Sequence, residues 1–104
     1  MTQSTRREKI EAMLQKDPND TFLLYGLAIE HVRENNIEEG VRQFAALTEK
    51  APDYVPTYFQ LGQVLAQAGR PEEARPWLQK GIAVAIRTGN HHTAEEMEAF
   101  LMTL

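Results

Sequence analysis

The sequence predicts an all-α fold of about six helices, arranged as antiparallel helix-turn-helix repeats stacked into a short α-solenoid. Three observations carry that prediction. The chain repeats itself at an offset of 34 residues, so that Pro18 recurs as Pro52, Leu27 as Leu61, Ala28 as Gly62, Asn35 as Gly69, Glu38-Glu39 as Glu72-Glu73 and Phe44 as Leu78. Apolar residues fall at three- and four-residue spacing between successive turn signals, which is the period of a helix with one buried face. Helix-start and helix-stop residues sit at matching places in both copies. A unit of this length cannot bury its apolar face alone, so copies stack and present a surface.

Arg6 to Lys16 carries Ile10, Met13 and Leu14 at helical spacing and must stop before Asp17-Pro18, because proline disfavours the helical region for its predecessor. Asn19 or Asp20 then caps a second helix, Thr21 to about Glu34. Its apolar residues, from Phe22 to Val32, occupy most of its circumference, which predicts the most buried helix of the set. Asn35 and its equivalent Gly69 are the residue types that most readily take the left-handed conformation closing a helix.

Asn36 with Glu39 predicts a capping box opening a third helix, Ile37 to Lys50. Ala51-Pro52-Asp53 turns the chain into a fourth helix, about Tyr54 to Ala68, with Pro56 tolerated in its first turn. The fifth helix, Pro71 to about Thr88, contains Pro76, which predicts a local bend or a late start. Gly89-Asn90 breaks the pattern. Thr93 and Glu96, spaced as a capping box, predict a sixth helix bearing Ala94, Met97, Phe100, Leu101 and Leu104 on one side. The domain organisation is a single unit, 1–104: a half repeat at 5–17, repeats at 21–54 and 55–88, and a capping helix at 91–104.

Composition narrows the function. The 104 residues suffice for one domain, and a formal charge of −4 opposes general nucleic-acid binding, which needs a basic face to release phosphate counterions. Cysteine is absent, removing disulfide and thiolate chemistry. No apolar run follows the charged first residues and none approaches the roughly 18 residues of a membrane span, so the expectation is no leader, no membrane partner and a cytoplasmic protein. His91 and His92 are adjacent and cannot both face one ion from consecutive helical positions, while His31 occupies a packing position. Neither a Gly-rich phosphate loop nor Gly-x-Ser-x-Gly is present, and the paired glutamates read as helix-start residues favouring the positive end of the dipole. The expectation is therefore no catalytic residue, no metal and no cofactor.

The second copy reads Tyr58-x2-Leu61-Gly62-x2-Leu65 followed by Ala74-x3-Leu78; the first reads Leu24-x2-Leu27-Ala28-x2-His31, Gly40-x3-Phe44 and Pro52. This resembles the tetratricopeptide repeat (TPR), over about Arg6 to Thr88. Gly62 and Ala28 would face Ala74 and Gly40 where helices approach to roughly 8 to 10 Å, and Leu24, Leu27, Tyr58, Leu61, Leu65, Phe44, Leu47 and Leu78 would supply burial. Ile86 stands where the pattern has proline, so the fifth helix should run past the usual stop. Trp77, turned about 100° from Leu78, would lie over the seam with the sixth helix.

The resemblance implies a right-handed solenoid whose first helices line a concave groove for a partner peptide or helix. Carried onto this chain, the groove residues are Phe22, Tyr25, Gly26, Ile29, Val32 and Arg33, with Phe59, Gln60, Gln63 and Gln67. Tyr25, Ile29 and Gln60 stand where relatives that clamp a carboxylate carry cationic and amide residues, which excludes that specificity here. The function implied is a protein-protein adaptor. The alternative is structural self-association as a homodimer, through the open end of the stack or the apolar face of Met97, Phe100, Leu101 and Leu104. The stripe of Phe22, Tyr25, Ile29 and Val32 suits a partner helix, and its rival reading is core beneath a terminal helix folded back.

Overall fold

The computed structural model describes residues 5–104, and within them the chain forms six α-helices and no strand. They are α1 (Arg6–Lys16), α2 (Thr21–Arg33), α3 (Ile37–Lys50), α4 (Pro56–Gln67), α5 (Pro71–Arg87) and α6 (His91–Leu101). Each packs chiefly on its chain neighbours, giving an elongated stack of 47 × 29 × 20 Å with α1 and α6 at opposite ends.

Local chemistry explains the boundaries. Thr5 opens α1 with a reciprocal capping box: its Oγ1 accepts from Glu8 N at 3.1 Å while its own N–H donates to Glu8 Oε1 at 2.8 Å. Asp20 caps α2 by accepting from Leu23 N at 2.9 Å. Three helices then end alike. Asn35, Gly69 and Gly89 take φ of 66°, 77° and 82°, and the next residue donates back five positions: Asn36 to His31 O (2.7 Å), Arg70 to Leu65 O (2.9 Å) and Asn90 to Ala85 O (2.7 Å). Each closure is a Schellman motif, which satisfies carbonyls that the helix end leaves free.

Several expectations are corrected. Asn36 makes no side-chain cap bond, so the capping box is absent there; Glu39 instead accepts from Gln43 at 2.9 Å. The sixth helix starts at His91 with Asn90 as cap, which places Thr93 inside its first turn rather than before it. The fourth helix starts at Pro56, later than Tyr54, because the chain enters it through a tighter turn in which Thr57 and Tyr58 donate three residues back, to Tyr54 O at 3.3 Å and Val55 O at 3.1 Å; the Pro52 carbonyl accepts from the Tyr58 hydroxyl at 2.7 Å. The fifth helix shows no late start, and Pro76 lies within it. Its lost bond frees the carbonyl of Glu72, which is exposed and open to water.

Two apolar clusters form the core. One holds Ala28, Phe44, Leu61 and Val64, the other Val55, Tyr58, Leu78, Val84, Ala85, Ala94 and Met97. Trp77 packs on both, 6.5 Å from the Tyr58 ring, so it spans the two clusters rather than only the seam with α6. The most buried helix is α4, with Thr57, Tyr58, Leu61, Gly62, Val64 and Leu65 buried, not α2. α4 is flanked by α3 and α5, whereas one flank of α2 meets only α1, which contributes no buried residue. Leu24 is accordingly half-buried instead of core.

Small residues set the helix spacing. A Cβ on Gly62 would overlap the side chain of the fully buried Leu78; on Gly40 it would lie 2.5 Å from Val32 Cγ2, and on Gly81 2.5 Å from Tyr58 Cβ. Gly26 differs, its nearest neighbour being Ile10 Cδ1 at an ordinary 3.5 Å. Gly62→Ala is therefore expected to destabilise by about 1–3 kcal/mol through overpacking. Gly26→Ala is expected to stabilise by about 0.5–1 kcal/mol through helix propensity, both read from urea unfolding.

Charge pairs tie the turns together: Arg87 Nη2 to Asp53 Oδ1 at 2.7 Å, Arg70 to both Glu38 and Glu73, and Arg7 to Glu34 at 3.1 Å. Hydrogen bonds from Arg87, from Arg70 and from the Thr5 backbone hold the carboxyls of Asp53, Glu73 and Glu8 below the usual range. A depressed folded-state pKa contributes stability above the unfolded value and loses it as pH falls through the folded one. The urea midpoint is expected to fall between about pH 5 and pH 3, with a shallower fall in Asp53→Asn.

Candidate functional site

The helical period divides the surface of α2 into three sectors. Leu24, Leu27, Ala28 and His31 turn toward α3, and Gly26 and Glu30 turn toward α1, where Ile10 approaches Gly26 and Arg6 lies 3.8 Å from Glu30. The third sector carries Phe22, Tyr25 and Ile29. Gly26 therefore belongs to the α1 contact and not to the open sector.

Within that sector the side chains differ sharply. Phe22 is 73% exposed, although it is one of the chain's larger apolar groups. Burial pushes the phenol of half-buried Tyr25 up, with Gln60 acting in the opposite sense, which sets the α4 amide beside the α2 ring. The Tyr25 ring also stands edge-on to Phe44 at 5.7 Å and to Tyr54 at 5.5 Å. Ile29 and Val32 are half-buried against the first core cluster, and Val32 meets Gly40. Arg33 is exposed and leans 3.7 Å from Glu30, drawn toward the α1 side.

On α4, Gln60 and Gln63 are half-buried, and Gln67 is exposed. Phe59 packs edge-on to Phe100 of α6 at 6.1 Å, so the capping helix shields one end of the row. Neither terminal helix lies over Phe22: α1 sits on the Gly26 and Glu30 side, and α6 packs on α5. No residue of α4 is charged, and the polar groups it offers are amides. Such a surface can accept and donate hydrogen bonds to a peptide backbone beside apolar contact with Phe22.

The apolar face of the sixth helix is largely consumed internally. Met97 is fully buried, and Phe100, Leu101 and Leu104 pack partly buried against the second core cluster. Among the described residues no three metal-ligating side chains gather, and no helix is long and apolar enough to cross a membrane. His31 is buried where the second copy has Leu65, a packing position.

Sequence reasoning missed two features. Gly81 admits both Tyr58 and Met97, and its signal was a glycine in a helix interior, where only close packing offsets its conformational cost. The other is a cleft of about 170 Å³ between α2 and α3, lined by Leu24, Leu27, Gln43, Ala46, Leu47 and Lys50.

A family model described as tetratricopeptide repeat matches residues 55–80. The chain is 28% identical over 97 residues to a TPR repeat-containing protein of Pseudomonas aeruginosa, covering 93% of this chain and 92% of that one. It is 33% identical to a tetratricopeptide repeat domain protein from Salinibacter ruber solved by NMR, with a TM-score of 0.79 over 84% of this chain and 88% of the other. A solution structure from Bordetella parapertussis, 23% identical, superposes with a TM-score of 0.84 over 97% of this chain and 88% of its own, a likeness of fold.

The Tyr25 ring joins α2 to α3 and to the turn before α4, so Tyr25→Ala is expected to cost about 2–4 kcal/mol. Phe22→Ala is expected to cost less than about 0.5 kcal/mol, as an exposed substitution does. Thermal unfolding of the two variants beside the wild type checks the contrast.

Proposed function

This chain belongs to the tetratricopeptide repeat family, and from that premise we propose that it is an adaptor binding a peptide or helix of a partner protein along α2 and α4, without catalysis. In this reading 21–54 and 55–88 are the two complete units, and 5–17 and 91–104 flank them. The groove residues are Phe22, Tyr25, Ile29, Val32, Arg33, Phe59, Gln60, Gln63 and Gln67.

The observation that carries the reading is Phe22. Its ring is 73% exposed, so covering it with a partner would remove apolar area from water, a favourable change. Across the sector Tyr25 meets Gln60, one of the uncharged amides of α4, so the partner segment would bring an apolar anchor and backbone polar groups rather than a charged tail. Tyr25, Ile29, Val32 and Phe59 act mainly as the floor, because each is already engaged in packing.

That division sets the test. Replacing Tyr25 or Phe59 would loosen the fold as well as the groove, whereas Phe22→Glu and Gln63→Arg alter outward-reaching groups. With the wild type immobilised in its native extract, a partner is expected to be retained and then lost, by at least about tenfold, with folded Phe22→Glu. Retention unchanged in both variants, with circular dichroism showing them folded, would sink the groove reading.

Self-association has a specific observation in its favour. The outward residues of α1 include Lys9, Met13 and Lys16, those of α6 include Glu95 and Glu98 with Met102 just past its end, and the four charged ones have no ion-pair partner among the described residues. Copies joined end to end would bring opposite charges together. Sedimentation at low salt is expected to show mass rising beyond two chains with concentration and reverting in about 0.5 M salt; a single-chain mass throughout rejects this arrangement.

A further inference from the structure

The cleft between α2 and α3 gains meaning from the repeat itself, because the 34-residue offset supplies an internal control for each lining residue. Leu24 corresponds to Tyr58, Gln43 to Trp77, Ala46 to Lys80 and Lys50 to Val84. In the second unit the equivalent space is filled. Trp77 packs beside Tyr58 at 6.5 Å, and Lys80 Nζ stands 5.9 Å from the indole centroid. In the first unit the indole is replaced by a glutamine whose Nε2 is tied to Glu39 at 2.9 Å, and Leu24 and Ala46 are smaller than their counterparts. Leu47 and Leu27, 2% and 9% exposed, form an apolar floor to the cleft that results.

We propose that this cleft is a receptor for a single tryptophan side chain of a partner protein. Its size selects a side chain: about 170 Å³ is below the range of roughly 300–1,000 Å³ typical of small-molecule pockets. Its chemistry selects indole. The floor and walls are leucine and alanine, and the Gln43 Oε1 has no donor among the described residues, so it is available to accept from an indole N–H. The Lys50 ammonium at the rim can take the part that Lys80 plays toward Trp77. A second copy of the chain cannot supply the group, since its one tryptophan is Trp77, half-buried across both core clusters. The cleft lies on the α3 side of α2, away from Phe22, and does not depend on the groove reading.

N-acetyl-tryptophanamide titrated into protein with 13C-labelled leucine methyls tests the site. Saturable shifts are expected at Leu24, Leu27 and Leu47 with a Kd of about 1 mM, the scale a ligand of this size reaches. N-acetyl-phenylalaninamide, lacking the N–H, is expected to bind about fivefold more weakly. Gln43→Trp places in the first unit the residue that the second already has, and Ala46→Leu plugs the same space from the next turn. Each folded variant is expected to lose the leucine response, and Gln43→Trp to raise Tm. No saturable shift at these methyls up to about 10 mM, shifts confined to leucines outside the cleft, or a response that survives both plugs would overturn the proposal.

Discussion

The close approach of paired helices at residues with little or no side chain is the constraint on which the rest of this structure depends. Gly62 lies against Leu78, Gly40 against Val32, and Gly81 against Tyr58 and Met97. None of these positions has room for a methyl group without displacing a neighbour. Because the backbones come this near, Phe44, Leu61, Tyr58 and Leu78 interlock with essentially no exposure. If the helices stood farther apart, the same side chains would border voids, and each void would forfeit the dispersion contacts that make apolar burial effective.

Packing is uneven along the stack, and the unevenness shapes the surface. In the second unit, Tyr58 and Trp77 join the helices laterally, and Met97 of α6 completes the core. In the first, Leu24 and Gln43 leave a cleft, and α1, which contributes no buried residue, meets α2 through Ile10 and through ion pairs from Arg6 and Arg7 to Glu30 and Glu34. Exposed ion pairs contribute little and weaken with salt, so α1 is the element most easily released from its neighbour. Both proposed contact regions, the sector of Phe22 and the cleft, lie on the helix pair that is packed less completely.

Much of the helical order was legible because it rests on local chemistry. The stops at Asn35 and Gly69 follow from backbone conformations that few residues tolerate, and the start at Asp20 from a short side chain reaching its own backbone. The starts at Asn36 and Thr93 were misread for a related reason: a capping-box spacing shows which bonds are possible, while the backbone entering the turn decides whether they form. Asn36 and Asn90 enter with ψ near 60°, outside the extended conformation in which Thr5 makes its box. The proposed groove was legible only as a set of helical sectors. Whether Phe22 was core or surface depended on where α1 and α6 settle, and the sequence of α2 carries no record of that.

The sequence by itself determined the number and order of the helices and their stops at Asn35 and Gly69, because each is set by interactions within one turn or by a repeat that states the same unit twice. Tertiary structure alone decided which apolar side chains remain exposed. Leu24 and Leu27 are equally hydrophobic on one helix, yet one borders a cleft and the other its floor. Phe22 is exposed while Phe44 is completely buried. Burial depends on the neighbours that arrive from other elements, and a side chain's own chemistry fixes how much that burial is worth rather than whether it occurs.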